Sequence, residues 1–525
     1  MGTVGLARFS SGRFRAVAGL AVVALLGAAA WTAKKDDLRE PTSQPVFTSA
    51  ACPEPSLPNV APLGPEFSCG YLTVPENRDQ PDGRQIQIAV ARLKAASPEP
   101  DADPIVWLTG GPGGSGLLDA SSFAAAKPAV NADRDVIFVD QRGTGHSEPS
   151  LTCPEIDAFT HESATLVSTS ADEASRRHEA VLACRTRLAG EGYDLAAYNT
   201  TENAADIADL RTALGIDDWN VYGVSYGTDL ALQLLRDHPQ GIRSVILDGV
   251  VPPHLNLIDG LWQGAADEYA AVFAACEAQP ACHAAFPNLR TEFTETVRRL
   301  DGEPLTVDVP ATADAPATTV VLDGYRTADV PVVFSVPPWG LANLPATIHA
   351  LATGDGTAAA RTILAGQSPP DFIGWGLLYG VICREHAALT DPRKVLAAAK
   401  AALPDFPDRA LSLQPQEEFV GDIFNDCAAW DVPAADPAVA TQTRSDVPVL
   451  LMSGSFDAAT APRYAAAAAA GLPNSRQLLF PGLGHAVVFQ SECARATFAS
   501  FFDQPAGGYD TSCVAALTVP PFSTP

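Results

Sequence analysis

Three polar residues in this chain are of types that together cleave acyl bonds: Ser225, Asp457 and His485. A serine hydroxyl is a weak nucleophile until an imidazole takes its proton. A carboxylate then fixes that imidazole's tautomer and stabilises its cation. Ser225 stands in Gly223-Val224-Ser225-Tyr226-Gly227, a G-x-S-x-G sequence whose small residues permit the sharp strand-to-helix turn of a nucleophile elbow. Alone, that pattern also fits a serine in a glycine-rich loop. Asp457 could instead cap the helix after it, and His485 could be a turn histidine between glycines. Asp248 is a rival acid, because it too ends an apolar run beyond the serine. Acyl transfer further needs fixed donors for the oxyanion, where losing one costs ~100–1000-fold in rate. The Tyr226 N–H is one candidate donor. Gly111, in the loop Thr109-Gly110-Gly111-Pro112-Gly113-Gly114-Ser115-Gly116, is chosen as the other.

The elements around these residues have to bring them together. Trp219–Val224 is an apolar run that reads as a buried strand, and Leu230, Leu234 and Leu235 then recur on one helical face before Pro239. Further strands are expected at Phe67–Val74, Gln85–Leu93, Ile105–Leu108, Asp135–Val139, Ser244–Leu247, Val447–Met452 and Arg476–Phe480. The first two form an antiparallel hairpin. Between the others lie helical patterns such as Ala204, Ile207, Leu210 and Leu214, capped by Thr201. Strands and helices alternating in this way imply an α/β protein, a mostly parallel sheet with helices on both faces. Ser225, Asp457 and His485 then share the edge formed by the strands' carboxyl ends, where such sheets bind ligands. Their chain order, serine, acid, histidine, is that of the α/β-hydrolase fold. From Asn256 to Arg444 the alternation stops, leaving about 190 mostly helical residues where a crossover needs far fewer. That stretch is expected to be an inserted cap.

Length and composition bound the rest. The chain has 525 residues, 47% of them hydrophobic and 18% charged, which implies globular domains with a large core. A formal charge of −27 excludes nucleic acid as an expected partner, since phosphate binding needs basic surface. Arg8, Arg13 and Arg15 precede the uncharged run Ala16–Ala33, which Lys34 and Lys35 close. This describes a secretory signal, and the run is also long enough for an uncleaved anchor, so a membrane tether through residues 16–33 stays open. Either way the later residues are exported. Ten cysteines fit an oxidising compartment. The simplest connectivity joins neighbours: Cys52–Cys69, Cys153–Cys184, Cys276–Cys282, Cys383–Cys427 and Cys493–Cys513. There is no CxxC or HExxH and the nine histidines are scattered, so no metal and no cofactor are expected. The domain division expected is 1–35 export segment, 36–65 linker, 66–255 first part of the core, 256–444 cap and 445–525 second part of the core.

Several blocks in one order carry a resemblance: CGYLTVPEN, LTGGPGGSG, DQRGTGHS, DLRTALG with NVYGVSYGT, VILDGVVPP, and the Cys383…Cys427 and Cys493…Cys513 segments around PGLGH. With them the chain resembles the exported bacterial tripeptidyl aminopeptidases, α/β-hydrolases similar to proline iminopeptidases, from about Cys69 to Cys513. The acid loop SFDAATAP departs from the tighter D-P-x-T-P-like sequence of that family, and the cap is the least matched part. The resemblance implies a serine peptidase that releases short peptides or single residues from free amino termini. It also implies a cap acid for the substrate ammonium. Glu385, just after Cys383, resembles such an acid, with Glu268 and Asp426 as further candidates. A small-molecule esterase or amidase on the same fold and a noncatalytic, envelope-tethered binding protein remain the alternatives. Oligomeric state is not legible.

Overall fold

The computed structural model describes residues 45–57, 60–126, 129–311, 317–336, 340–415 and 422–525. The export segment therefore lies outside the described residues. Among those residues no helix is long and apolar enough to cross a membrane.

A nine-stranded sheet organises the unit Ser43–Pro525. Its strands are β1 (Val46–Ala50), β2 (Phe67–Pro75), β3 (Gln85–Leu93), β4 (Ile105–Leu108), β5 (Val136–Val139), β6 (Trp219–Val224), β7 (Ile242–Asp248), β10 (Val449–Gly454) and β11 (Ser475–Phe480), in the spatial order β1-β2-β3-β5-β4-β6-β7-β10-β11. From β5 to β11 every neighbouring pair is parallel, while β1, β2 and β3 form an antiparallel edge. The central strands β4, β5, β6 and β10 are buried along their whole length, which explains their unbroken apolar runs.

Side-chain alternation divides those strands between two cores. Val106, Ile137, Val221, Val245 and Leu451 face one cluster, together with Leu230 and Leu234. Trp107, Phe138, Tyr222, Ile246 and Leu450 face the other, together with Leu117 and Phe498. Helices α1 (Gly116–Ala126), α2 (Pro154–Ser163), α3 (Ala171–Gly190), α4 (Thr200–Ala213) and α5 (Tyr226–Asp237) lie between the strands in sequence. Asn199 caps α4 by accepting from Glu202 N, two residues earlier than the expected Thr201 cap would place it.

A third cluster belongs to the inserted segment, whose long α6 (Leu257–Ala278) contributes Trp262, Tyr269 and Phe273. Phe456 and Ala458, from the loop carrying Asp457, pack into this same cluster. The cap is thus built onto the acid loop. Two expectations need correction. Part of the 36–65 linker is strand β1, paired to β2 and stapled by Cys52–Cys69; its short VFTSA run was masked by the Pro and Ser around it. The cap also contains a hairpin, β8 (Leu305–Val309) with β9 (Thr318–Leu322), formed by alternating β-branched residues. All ten cysteines are bonded, each to its sequence neighbour in the five pairs given above.

Candidate active site

Ser225 sits between β6 and α5 with φ 56° and ψ −129°, a conformation that L residues rarely adopt. The turn survives because its neighbours have no side chains to clash. A Cβ on Gly223 would lie 2.3 Å from the Gly227 carbonyl oxygen, and one on Gly227 would lie 2.0 Å from that of Leu108. Ser225 N donates to Asp248 O at 2.9 Å, and its own carbonyl accepts from Thr228 N and Thr228 Oγ1 at 2.8 and 2.7 Å. The backbone is therefore held on both sides while the hydroxyl faces a cavity.

Asp457 follows β10 and His485 follows β11, neighbouring parallel strands, so the two loops meet. Asp457 Oδ2 lies 3.0 Å from His485 Nδ1. Thr460 completes the pair: its N–H donates to Asp457 Oδ1 at 2.8 Å, its hydroxyl to Oδ2 at 2.7 Å, and the same hydroxyl lies 2.9 Å from His485 Nδ1. Burial alone would raise the Asp457 pKa, but the His485 charge and these hydrogen bonds bring it below the ordinary value. Burial likewise would lower that of His485, but the charge and hydrogen bond of Asp457, with Asp248 behind, carry it above 6.5. The histidine loop is also anchored by the cap, through His485 N donating to Ser335 O at 2.9 Å.

Asp248 has a different task. Its Oδ1 accepts from Val487 N at 3.0 Å, and its Oδ2 accepts from Val488 N and Tyr222 OH at 2.9 Å each. It secures the segment after His485 and makes no hydrogen bond to the ring.

Gly111, Ser225, Tyr226 and His485 line one cavity of about 600 Å³. The Tyr226 N–H is in the first turn of α5, where amides have no intrahelical partner. Gly110 presses against the nucleophile, since a Cβ there would come within 2.7 Å of Ser225 Cβ. Behind the site, Tyr226 OH lies 3.0 Å from Thr200 Oγ1 and accepts from Asn203 Nδ2 at 3.4 Å. Asn203 Nδ2 also donates to Gln141 Oε1 at 2.8 Å, and Gln141 Nε2 to Thr109 O at 2.9 Å. This buried chain of bonds ties the end of β4, at Thr109, to Tyr226 at the start of α5.

The three cap acids are not brought to the cavity. Glu385 is 5% exposed, and its two oxygens accept from Thr200 N at 2.8 Å and Thr200 Oγ1 at 2.7 Å. The cause is local. Residues Ile382–His386 form one π-helical turn that points Ile382 and His386 into the cavity and Glu385 to the other side. Glu268 is buried beside Asp457 and Asp329, and neither of its oxygens has a partner among the described residues. Asp426 is buried against Tyr379 OH at 3.1 Å. Burial pushes Glu385 and Asp426 up to about 7 and Glu268 well above the carboxylate range. Sequence reading missed Thr460 and Ser335; only the position of Thr460, three residues after the acid, hinted at a cap on it.

A strained serine at a strand-to-helix turn, with an acid and a histidine at later strand ends of a parallel sheet, defines an α/β-hydrolase of the serine-hydrolase class. Residues 103–286 match the family model described as alpha/beta hydrolase fold, and residues 417–513 match that of TAP-like protein. The chain has the α/β-hydrolase fold, and its residues 417–513 are similar to TAP-like protein. It is 27% identical to the serine protease Hip1 of Mycobacterium tuberculosis over 457 residues, covering 81% of this chain and 82% of the relative. It is 32% identical to the tripeptidyl aminopeptidase of Streptomyces coelicolor over 194 residues, 36% of either chain. A protein named carboxylesterase B, also from Mycobacterium tuberculosis, is 27% identical and covers 83% and 84%.

Proposed function

We propose that this chain is an exported serine peptidase of the aminopeptidase type, acting through an acyl-enzyme on Ser225. What carries the catalytic reading is the Asp457 Oδ2 to His485 Nδ1 contact of 3.0 Å, in a cavity wall shared with Ser225. With Nδ1 engaged, His485 Nε2 accepts the Ser225 proton as Oγ attacks the substrate carbonyl carbon. The Gly111 and Tyr226 N–H groups receive the oxyanion. His485 then passes its proton to the leaving amine, and water hydrolyses the resulting ester by the same route. The cap, 256–444, closes over the strand ends and limits what reaches the serine. The peptidase reading is supported by the Hip1 and tripeptidyl aminopeptidase relatives. Export is supported by the five disulfides and the basic-then-apolar amino terminus, with a tether through residues 16–33 as its finer form.

The carboxylesterase relative and the largely apolar cavity, lined by residues such as Val224, Val251, Ile363 and Phe372, favour an esterase as the second reading. A panel of aminoacyl, dipeptidyl and tripeptidyl amides, each with free and acetylated amino ends, beside simple esters, separates the two. Cleavage of free-amino amides in preference to acetylated ones is expected. Ester hydrolysis with no amide hydrolysis would leave the esterase. Fluorophosphonate should label the wild type and not Ser225→Ala; an unlabelled wild type would point to a noncatalytic scaffold.

A further inference from the structure

Among the described residues that line the cavity there is one carboxylate, and it comes from the core rather than the cap. Asp119 lies on α1, just after the glycine-rich loop that carries Gly111, and it lines the cavity. Its Oδ2 accepts from Trp107 Nε1 at 2.9 Å and from Thr109 Oγ1, whereas Oδ1 has no hydrogen-bond partner among the described residues. Both fixing donors belong to β4 and the residue after it. The next residue, Gly110, is the one that touches Ser225. Asp119 is thus braced against the same strand exit that walls the nucleophile.

Its surroundings make this carboxylate distinctive. The described lining residues include no Glu, Lys or Arg. His386 is buried with its pKa pushed down to about 4, so it brings no charge near neutrality, and His485 is occupied with Asp457. The Asp119 carboxyl is half-buried in a largely apolar wall with no cation beside it, and burial, with Asp140 nearby, pushes it up to about 7. A ligand that brings an ammonium supplies the missing partner.

We propose that Asp119 is a specificity-determining residue that receives a cationic amine of the substrate, from its amino terminus or from a basic side chain. This rests on the serine-hydrolase reading of the cavity and gives that reading a substrate class. The apolar wall takes the body of the substrate and Oδ1 takes its ammonium.

The test compares wild type, Asp119→Asn and Asp119→Glu on p-nitroanilides that differ only in charge. One carries a free α-amine with a neutral side chain, one is acetylated and neutral, and one is acetylated with a lysine side chain. A charge-assisted hydrogen bond predicts that Asp119→Asn raises KM about 10- to 100-fold for an amine-bearing substrate. KM for the neutral substrate should stay within about threefold, and Asp119→Glu should keep most of the preference. Loss on the α-amino substrate assigns the amino terminus, and loss on the lysyl substrate assigns the side chain. Equal changes on charged and neutral substrates would overturn the proposal. A second measurement needs no variant: n-butylammonium should inhibit hydrolysis of a neutral ester competitively and more strongly than n-butanol. Equal inhibition by the two would also overturn it. If the wild type cleaved esters and no amides, the peptidase reading alone would fail, and the inhibition assay would still decide the role of Asp119.

Discussion

Replacing Asp457 with Asn separates the two acids that end strands beside His485. In the wild type Asp457 Oδ1 accepts the Thr460 N–H, and Oδ2 accepts the Thr460 hydroxyl while facing His485 Nδ1. In the Asp457→Asn variant the amide oxygen must stay with the backbone N–H of Thr460, which puts the NH₂ group opposite His485 Nδ1. That nitrogen then becomes an acceptor and the ring proton moves to Nε2, the atom proposed to take the Ser225 proton, so transfer is blocked. The expected loss is about 10⁴-fold in kcat, or about 5 kcal/mol of transition-state stabilisation. The pH profile supplies a second readout. His485 must be neutral to act as base, so kcat/KM rises with pH through its pKa. Burial is the largest influence on that pKa and lowers it; Asp457 is what lifts it above 6.5. Without the Asp457 charge the residual activity should therefore show an acid limb at lower pH. Asp248→Asn leaves an amide NH₂ facing a backbone N–H of Val487 or Val488, a cost of ~1–3 kcal/mol in stability, with kcat within about tenfold. Steady-state kinetics with thermal melts on both variants decide the matter. A robust Asp457→Asn enzyme beside a dead but normally folded Asp248→Asn enzyme would refute the assignment.

Gly110→Ala pushes a methyl group to 2.7 Å from Ser225 Cβ, so kcat/KM should fall about 100-fold or more; an unchanged rate of fluorophosphonate labelling would count against the close approach. Thr460→Val removes the hydroxyl shared by Asp457 and His485. A lost hydrogen bond to a charged group predicts a 10- to 100-fold drop in kcat with little change in KM, and a change confined to KM would contradict it. Stability should fall as pH rises from about 6.5 to 8.5. Burial raises Asp119, Glu385 and Asp426 to about 7 and Asp229 to about 8, so the folded chain binds more protons than the unfolded one, and that advantage is lost as pH climbs through those values. His146 and His485, also raised, act in the same direction, whereas the lowered His238, His254 and His386 oppose it only below about 6.5. A thermal midpoint that rose across this interval would sink the account.

Features set by a few neighbouring residues were legible in the sequence. Parallel strands buried on both faces need unbroken apolar runs, and a turn as tight as that at Ser225 needs Gly223 and Gly227, so both left local signatures. Strand β1 left a weaker one. Five residues of modest apolarity acquire meaning only from pairing with β2 and the Cys52–Cys69 bond. Thr460 was overlooked because a threonine three residues after an acid is a weak mark until its hydroxyl is found between the acid and the base.

Glu385 shows where reading by position ends. Its place beside Cys383 suggested a ligand, yet one helical turn decides whether position 385 or its neighbours 382 and 386 face the cavity, and no periodicity is visible over five residues. Once turned away, the carboxylate serves the fold instead, by accepting both donors of Thr200 at the start of α4. Thr200 in turn meets Tyr226 OH, so the acid still supports the residue whose N–H is proposed to hold the oxyanion, but from behind. Asp119 reverses the case. Nothing in GLLDASS marks it as functional, and it reaches the cavity because α1 must start where the glycine-rich loop leaves β4. The loop that sets Gly110 against Ser225, and Gly111 as the proposed oxyanion donor, therefore also leads to a carboxylate in the wall of the same cavity.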